Sequence, residues 1–295
     1  MQSHNHLEVL YPQRPFLDLI DNKRNSPFRP TLSDGKSTSL QLIGDEDDPY
    51  YGHPYQFEIE HLEYPPKQMQ HRKEIVSPPL DQVSVFWIES EDALEEMASL
   101  LSVCSAIAVD LEHHHQHSFG GMTCLMQIST RDRDYVIDTL ALRRSLHRHL
   151  LPILSDPNVV KVFHGASQDI KWLQRDFSLY VVNLFDTFEA AKCLNLQQKS
   201  LRFLLEQFCA VSTNKALRLT DWRVRPLRPE LVEYARKDTR YLLYLMDHFT
   251  NLLLEQSTSR RALLSEVYAR SAETSLIVSY CVAQKVHVHF GGVWW

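Results

Sequence analysis

The sequence predicts an α/β protein with a mixed central sheet, antiparallel at its first strands and covered by helices on its faces. Three β-like runs, SAIAVDLE, MTCLMQIST and DYVIDT, follow one another closely, and the short loops between them favour antiparallel pairing. Apolar strands and amphipathic helices alternate along the rest of the chain. A β-meander followed by this alternation indicates one mixed sheet with helices on its faces.

The individual elements follow from local patterns in chain order. A short strand, VSVFWI (83–88), leads into a helix that Ser90 caps and that ends at Leu101. Two helical stretches, LRFLLEQF and the long PELVEYARKDTRYLLYLMDHFTNLLLEQ, complete the pattern. Between the meander and these stretches we predict the helix LHRHLLPILS and then the buried strand NVVKVFHG. The next elements are the helix SQDIKWLQRDF, with Ser167 as its cap, and the strand LYVVNLFD. Asp186, at the end of that strand in LFDTFEAAKC, is predicted to be an N-cap.

The first 80 residues differ in composition from the remainder. They hold ten of the fourteen prolines, so residues 1–80 are predicted to form an extended arm. Within the arm, HPYQFEIEHLEYPP (53–66) carries apolar and aromatic side chains that could pack along a neighbouring surface. A partly ordered linker is the alternative for this segment.

Composition excludes several classes of protein. A hydrophobic content of 44% is enough for a sizeable core, and the five scattered cysteines lack the C-x-x-C pair of a zinc or redox site. No apolar stretch is long enough to span a membrane, and the first residues lack the apolar region of a signal peptide. We therefore expect a soluble intracellular protein without membrane contact. A net charge of −6 argues against a uniformly basic nucleic-acid surface but is compatible with a local basic groove.

Acidic residues in three segments are candidates for a metal site. Asp110 and Glu112 stand two apart on a strand, so their side chains share one face. A lone D-x-E also fits an exposed strand end, but the apolar AIAV before it favours burial, which needs a cation because like charges repel. Asp169 lies in a first helical turn, and Tyr234 and Asp238 are four apart on one helical face. Each of these positions alone is also typical of an ordinary helix.

The combination of these segments resembles the three exonuclease motifs of the DEDD superfamily. A tyrosine four residues before the last Asp is similar to the DEDDy branch, whereas the other branch has a histidine five residues before it, where Glu233 stands here. Longer words, including AVDLEHH, VVKVFHGASQDIKWLQRDF and YARKDTRYLLYL, resemble the ribonuclease D and nuclear exosome-associated exonuclease family over residues 50–270. The resemblance implies a ribonuclease H-like exonuclease fold.

The resemblance also implies a catalytic set and two divalent cations, Mg²⁺ or Mn²⁺. The implied metal ligands are Asp110, Glu112, Asp169 and Asp238, since hard oxygen ligands suit these ions, and Tyr234 would position the attacking water. Two cations about 3.5 to 4 Å apart activate water and stabilise the leaving oxygen. The implied reaction is 3′-to-5′ removal of nucleoside monophosphates from single-stranded RNA ends.

Substrate contacts are implied at His113, Trp172 and Lys215, although a tryptophan in this setting is also typical of a core. Asp221 and Trp222 are expected to brace a loop, and Asp138 is an acid without a partner motif. Basic side chains close together in the sequence either line a path for a phosphate backbone or form a solvated surface. This basic cluster consists of Lys215, Arg218, Arg223, Arg225 and Arg228.

The histidine run after Glu112 is not expected to bind zinc. Consecutive side chains on an extended segment point to alternating sides, and no matching Cys or His spacing completes a zinc shell. His115, Gln116 and His117 stand where relatives commonly have an aromatic residue and a fixed positive charge, and Arg218 stands where a glutamine is usual.

The resemblance suggests a domain division and partners. Residues 81–256 would be the DEDDy exonuclease domain, 257–280 the start of a C-terminal helical domain, and 281–295 a tail unlike the family. The exosome core complex is the expected partner, with a nuclear and nucleolar location. The N-terminal domain through which relatives bind a small nuclear cofactor protein has no counterpart here, so the resemblance does not carry that partnership over.

Two other functions remain open. One is a DNA 3′-to-5′ exonuclease of the same fold. The other is a catalytically weak RNA-binding exosome subunit, against which the presence of all four acids and the tyrosine argues.

Overall fold

Eight strands are present in the computed structural model, which describes residues 52–115 and 121–278 together with two isolated short strands. These two, β1 (Leu42–Ile43) and β2 (Tyr50–Tyr51), pair only with each other. The central strands are β3 (Ser84–Ile88), β4 (Ala106–His114), β5 (Met122–Ser129), β6 (Arg133–Ile137), β7 (Val160–Phe163) and β8 (Leu184–Asp186).

The central strands form one six-stranded sheet in the order β3-β6-β5-β4-β7-β8. Strand β5 is antiparallel to both β4 and β6, as the closely spaced runs predicted. The other three pairs, β3 with β6, β4 with β7 and β7 with β8, are parallel. The predicted mixed sheet is therefore confirmed.

Nine α-helices lie in the described residues and cover both faces of this sheet. Side chains from Ile107, Val109 and Leu111 join one apolar cluster, whereas Ala108 joins another on the opposite face. The helices are α1 (Gln56–Glu60), α2 (Glu91–Leu101), α3 (Leu146–Leu154), α4 (Ser167–Phe177), α5 (Thr187–Cys193), α6 (Leu201–Cys209), α7 (Pro229–Arg240), α8 (Leu242–Gln256) and α9 (Leu263–Ser275).

Helix starts test the predicted caps. The Ser90 hydroxyl accepts a hydrogen bond from the Ala93 amide at 3.4 Å, which confirms that cap. The cap predicted at Ser167 is wrong, because Ala166 is the N-cap residue and no side chain on α4 caps the helix. The amide of Ala166 donates instead to the Asp186 carboxylate, a residue twenty positions away in the chain.

Two predicted elements differ in extent. Only the end of LYVVNLFD is a strand, because Asn183 adopts a left-handed φ of 58° and binds Gln68 and the Pro157 carbonyl through its side chain. The long final helix is divided at Tyr241 into α7, which lies over β4, β5 and β6, and α8, which lies over β4 and β7. Neither glycine nor proline marks this division, so the sequence pattern does not reveal it.

The segment before β3 packs against the sheet and its helices. Tyr55 and Ile59 are buried in the main apolar cluster, and Gln68 exchanges two hydrogen bonds with Asn183 at 2.7 and 3.1 Å. These contacts favour the interpretation of HPYQFEIEHLEYPP as a set of anchors. The rest of the predicted arm, apart from β1 and β2, and residues 279–295 lie outside the described residues.

No helix in the described parts of the chain is long and apolar enough to cross a membrane.

Candidate active site

Three carboxylates from β4 and α7 meet at the centre of the sheet. Asp110 and Glu112 project from the face of β4 opposite Val109 and Leu111, and α7 brings Asp238 over them. Potential ligand oxygens of Asp110, Glu112 and Asp238 all lie within 4.8 Å of one another. Among the described residues this is the only such group, and it contains no histidine.

Asp169 completes the acidic set from a third element, the helix α4. It is buried in the first turn of α4, and its charge helps to raise the pKa of both Asp110 and Glu112. It does not belong to the close group of three. The structure thus brings all four predicted acids into one site, with Asp110 acted on by both Asp169 and Asp238.

The electrostatics of this set favour a cation. Burial, followed by neighbouring carboxylates, raises the pKa of Asp110 and Glu112 well above the ordinary values. Burial raises the pKa of Asp169 to about 8 and that of Asp238 to about 7. A buried group of carboxylates that repel one another is stabilised by divalent cations, and its oxygen donors suit Mg²⁺ or Mn²⁺.

A buried amide next to the acids also fits a metal site. Gln127 pairs with Asp110 across the β4–β5 ladder, so the two side chains leave the sheet on the same face. Gln127 is fully buried, and neither polar atom of its amide has a hydrogen-bond partner within the described part of the chain. Buried polar groups are usually satisfied, so this amide is suited to contact an ion-bound water or a ligand carboxylate.

Tyr234 lies beside the acids on the same helix as Asp238. Burial, followed by the charge of Asp238, raises the pKa of Tyr234, so its hydroxyl stays protonated. That hydroxyl donates a hydrogen bond to Asp238 and thereby opposes the rise in the aspartate's pKa. The fully buried Trp222 packs against the tyrosine, with 6.0 Å between the ring centroids.

Asp186 holds the start of the helix that carries Asp169. Its carboxylate accepts hydrogen bonds from the Gly165 amide at 2.7 Å and the Ala166 amide at 2.9 Å, just before α4. It also accepts from the Phe188 amide at 2.8 Å, which confirms the predicted cap of α5. One buried carboxylate therefore joins two turns and fixes where Asp169 enters the site.

His113 and Trp172 form a flat aromatic pair at the edge of the acidic set. The ring centroids are 4.1 Å apart and the planes differ by 6°. The strand register shifts between Glu112 and His113, a β-bulge that turns the histidine toward α4. Burial, followed by the charge of Arg175, lowers the pKa of His113 to about 4, so the imidazole is neutral at pH 7.

Most of the basic cluster is engaged in structural pairs. Arg225 makes two hydrogen bonds to Asp138, at 2.6 and 2.9 Å, which gives that acid its partner. Arg223 pairs with Asp221 at 2.7 Å, and Arg228 pairs with Glu230 at 2.8 Å. The contacts of Arg223 and Arg225 favour a structural role for these two arginines, whereas the Arg228–Glu230 pair is exposed on the surface.

Arg218 differs from these arginines because its charge acts on the acidic set. Its exposed side chain lowers the pKa of Asp238 and Glu112 through its positive charge. The backbone of Lys215 begins a short 3-10 helix, Lys215–Leu219, and its side chain lies outside the described residues. Trp222 donates its indole N–H to the Arg218 carbonyl at 3.3 Å, so the predicted bracing of this loop is confirmed.

The next two histidines of the run differ in their burial. His114 is buried with Nδ1 3.6 Å from an Asp221 oxygen, and His115 is exposed. Gln116 and His117 lie outside the described residues.

Asp176 is the main residue near the site that the sequence did not single out. Its buried carboxylate accepts from the Thr123 amide and hydroxyl at 2.7 and 2.8 Å, and it pairs with Arg143 at 3.1 Å and Arg175 at 2.8 Å. A signal for it does exist in the sequence. Asp176 stands seven residues after Asp169 and three after the buried Leu173, which places an acid on the apolar face of α4.

Comparisons with known proteins agree with this geometry. A family model described as 3′-5′ exonuclease matches residues 85–254. The exosome complex exonuclease RRP6 of Saccharomyces cerevisiae is 46% identical over 254 residues, which are 83% of this chain and 34% of that protein. Exosome complex component 10 of Homo sapiens is 46% identical over 226 residues, which are 77% of this chain and 25% of that protein.

A solved structure is also similar over most of the chain. The crystal structure of the catalytic core of RRP6 from Trypanosoma brucei superimposes with a TM-score of 0.82 at 38% identity, covering 92% of this chain and 72% of that one. The chain spans between a quarter and about a third of the length of the relatives described above.

Proposed function

The chain belongs to the 3′-5′ exonuclease family, and we propose that it is a 3′-to-5′ exoribonuclease releasing nucleoside 5′-monophosphates from single-stranded RNA. The observation that carries the proposal is the largely buried set of Asp110, Glu112, Asp169 and Asp238 with Tyr234 at its edge. Their pKa values are raised, which means that the four ionised carboxylates are energetically unfavourable in this position without a cation.

The family depends on divalent metal ions, and this chain has the acidic cluster to hold them. We propose that two cations, Mg²⁺ or Mn²⁺, are held by the four acids and supply an activated water and charge stabilisation at the leaving 3′ oxygen. Tyr234 keeps its proton because it is buried. Its oxygen can accept a hydrogen bond from the attacking water while its O–H group donates a hydrogen bond to Asp238, and the two contacts together orient that water.

The terminal nucleotide would lie against His113 and Trp172. Their stacked rings form an aromatic edge beside Glu112, and such edges bind nucleobases or sugars by stacking and van der Waals contact. Lys215 is proposed to reach the sugar or phosphate, and the exposed Arg218 adds positive charge near Asp238.

Partners and location follow the same proposal. Similarity to exosome complex components supports association with the exosome core and a nuclear, nucleolar site of action. Residues 81–256 are proposed as the exonuclease domain, with 1–80 as an arm, 257–280 as the start of a further helical domain and 281–295 as a tail unlike the family.

The decisive experiment compares the wild type with Asp238→Asn on a 3′-labelled single-stranded RNA, with and without Mg²⁺. We expect labelled mononucleotide to be released only with metal. The substitution should slow release by about a thousandfold, as loss of about 4 kcal/mol of transition-state stabilisation implies. Activity of Asp238→Asn near the wild-type level would refute the mechanism.

A matched control is Glu230→Gln, which changes an exposed acid in the first turn of the same helix. It should leave the rate unchanged. A parallel series on single-stranded DNA tests the alternative substrate, because equal or faster DNA cleavage would favour a DNA exonuclease. Metal-independent RNA binding without cleavage would favour the weak RNA-binding subunit.

A further inference from the structure

Arg175 connects His113 to a fixed point in the fold. Its Nη2 lies 3.1 Å from His113 Nε2, and its Nε and Nη2 donate to Asp176 at 2.8 and 3.0 Å. Asp176 is almost fully buried and is itself held by the amide and hydroxyl of Thr123. Thr123 is the cross-strand partner of His113 in the β4–β5 ladder, so this chain of contacts closes on the same pair of strands.

The chemistry of the two partners fixes the proton on the imidazole. A guanidinium carries only donors and stays protonated, so Arg175 must donate in this contact. His113 Nε2 therefore accepts through its lone pair, and the proton of the neutral ring is on Nδ1. No described residue forms a hydrogen bond with His113 Nδ1.

The ring cannot turn over without losing this contact. A rotation by 180° about the Cβ–Cγ bond would exchange Nε2 with Cε1 and place a C–H group against the guanidinium. The ring is also confined on two sides, by the Trp172 ring, whose centroid lies 4.1 Å away, and by Gly121. A Cβ atom at Gly121 would lie 2.1 Å from His113 Cε1, so the ring edge fits only because this residue is glycine.

We propose that Arg175 is a positioning residue that fixes His113 as the Nδ1–H tautomer, so that the imidazole presents a hydrogen-bond donor to an acceptor oxygen on the terminal nucleotide. The part concerning the nucleotide rests on the proposed function, whereas the tautomer does not. Asp176 contributes to this positioning indirectly, because its carboxylate accepts two hydrogen bonds from Arg175 and so orients the guanidinium plane.

The tautomer is measured directly by long-range ¹H–¹⁵N correlation spectra of the full chain labelled with ¹⁵N-histidine, without metal or RNA, at neutral pH. The His113 signals are assigned by their loss in His113→Asn. We expect a protonated Nδ1 and an unprotonated Nε2 in the wild type. A wild-type ring protonated on Nε2 would overturn the proposal, and this measurement needs no variant of Arg175 to be folded.

Variants test the role of Arg175. Arg175→Met removes the donor and should release His113 to the Nε2–H tautomer that a free imidazole prefers, whereas Arg175→Lys keeps a cationic donor and should retain Nδ1–H. Arg202→Met, which removes an exposed arginine paired with Glu206 on α6, is the matched control and should change nothing. An Arg175→Met protein that is folded by circular dichroism but keeps the Nδ1–H tautomer would refute the positioning role.

Kinetics separate the two halves of the proposal. Loss of the oriented donor should raise KM for single-stranded RNA about tenfold in Arg175→Met, equivalent to about 1.4 kcal/mol, with a smaller change in kcat and recovery in Arg175→Lys. An unchanged KM alongside a changed tautomer would overturn the substrate contact alone. Absence of RNA cleavage by the wild type would refute the proposed function and leave the tautomer result standing.

Discussion

Single residues at the site are governed by burial and like charge. Asp110, Glu112, Asp169 and Asp238 lie close together and largely out of water, so each carboxylate loses hydration and most are repelled by a neighbouring carboxylate. The ionised carboxylates lower the free energy of unfolding because they repel one another and lose hydration. Protonation removes their charge and therefore restores part of that stability. Metal-free protein should therefore be sensitive to pH in a defined range.

The pH dependence has a predictable sign. Asp169 and Asp238 have an ordinary pKa of 3.8 when exposed, and in the fold their pKa values are about 8 and about 7. At a pH above the ordinary pKa of 3.8 and below the raised pKa values, the folded state binds more protons than the unfolded state. The free energy of unfolding should therefore fall as the pH rises from about 4 to about 8. Urea denaturation with a chelator present, repeated across this range, measures the decline.

Two controls accompany that measurement. The double variant Asp169→Asn, Asp238→Asn should show a flatter profile, because neutral amides do not titrate. Mg²⁺ added at pH 8 should restore stability to the wild type only, since the ion binds the folded state. A wild-type stability that is constant or rises over this range would contradict the assignment.

Individual elements depend on contacts that join distant parts of the chain. The Asp186 carboxylate caps the turn before α4 and the start of α5, and Arg240 at the end of α7 is held by Asp134 and by the carbonyls of Thr130 and Arg131. Such contacts decide where helices begin and end. They explain why the cap at Ser167 and the unbroken final helix were predicted wrongly from local patterns.

Asp186→Ala tests this at the level of one element. The substitution removes three hydrogen bonds to backbone amides and should lower the free energy of unfolding by about 2 to 4 kcal/mol. Because α4 carries Asp169, affinity for Mn²⁺ measured by calorimetry should fall as well. Asp156→Ala, which removes the acid of the Asp156–Asn158 turn, is the control and should cost less than about 1 kcal/mol. An equal effect of both substitutions would argue against a special role for Asp186.

The whole molecule extends beyond the sheet and its helices into the segment that precedes them. Tyr55 lies 5.4 Å from Tyr180 between ring centroids, and Ile59 joins the same apolar cluster. The segment that composition marked as an arm therefore contributes to the core from residue 55 onward. Similarity to the RRP6 catalytic core at a TM-score of 0.82 confirms the ribonuclease H-like exonuclease fold expected from the motifs.

A pair of aromatic substitutions on α1 and its N-cap tests this contribution. Tyr55→Ala removes a buried ring and should destabilise the protein by about 2 to 4 kcal/mol. Phe57→Ala removes a ring that is 70% exposed and should change stability by about 0.5 kcal/mol or less. Thermal and urea unfolding of both variants decide the matter, and a negligible effect of Tyr55→Ala would show that the segment does not stabilise the domain.

The sequence by itself determined the mixed α/β fold, the spacing of Asp110 and Glu112 on one strand face, and the helical placement of Tyr234 and Asp238. These features depend on periodicity, which is a local property of the backbone and its side chains. Only the tertiary structure decided that Arg225 pairs with Asp138, that Asp186 holds the turn before α4, and that Arg175 and Asp176 hold His113. Their partners lie 20 to 87 residues apart in the sequence except for the adjacent Arg175–Asp176 pair, and only packing brings the others within hydrogen-bond distance.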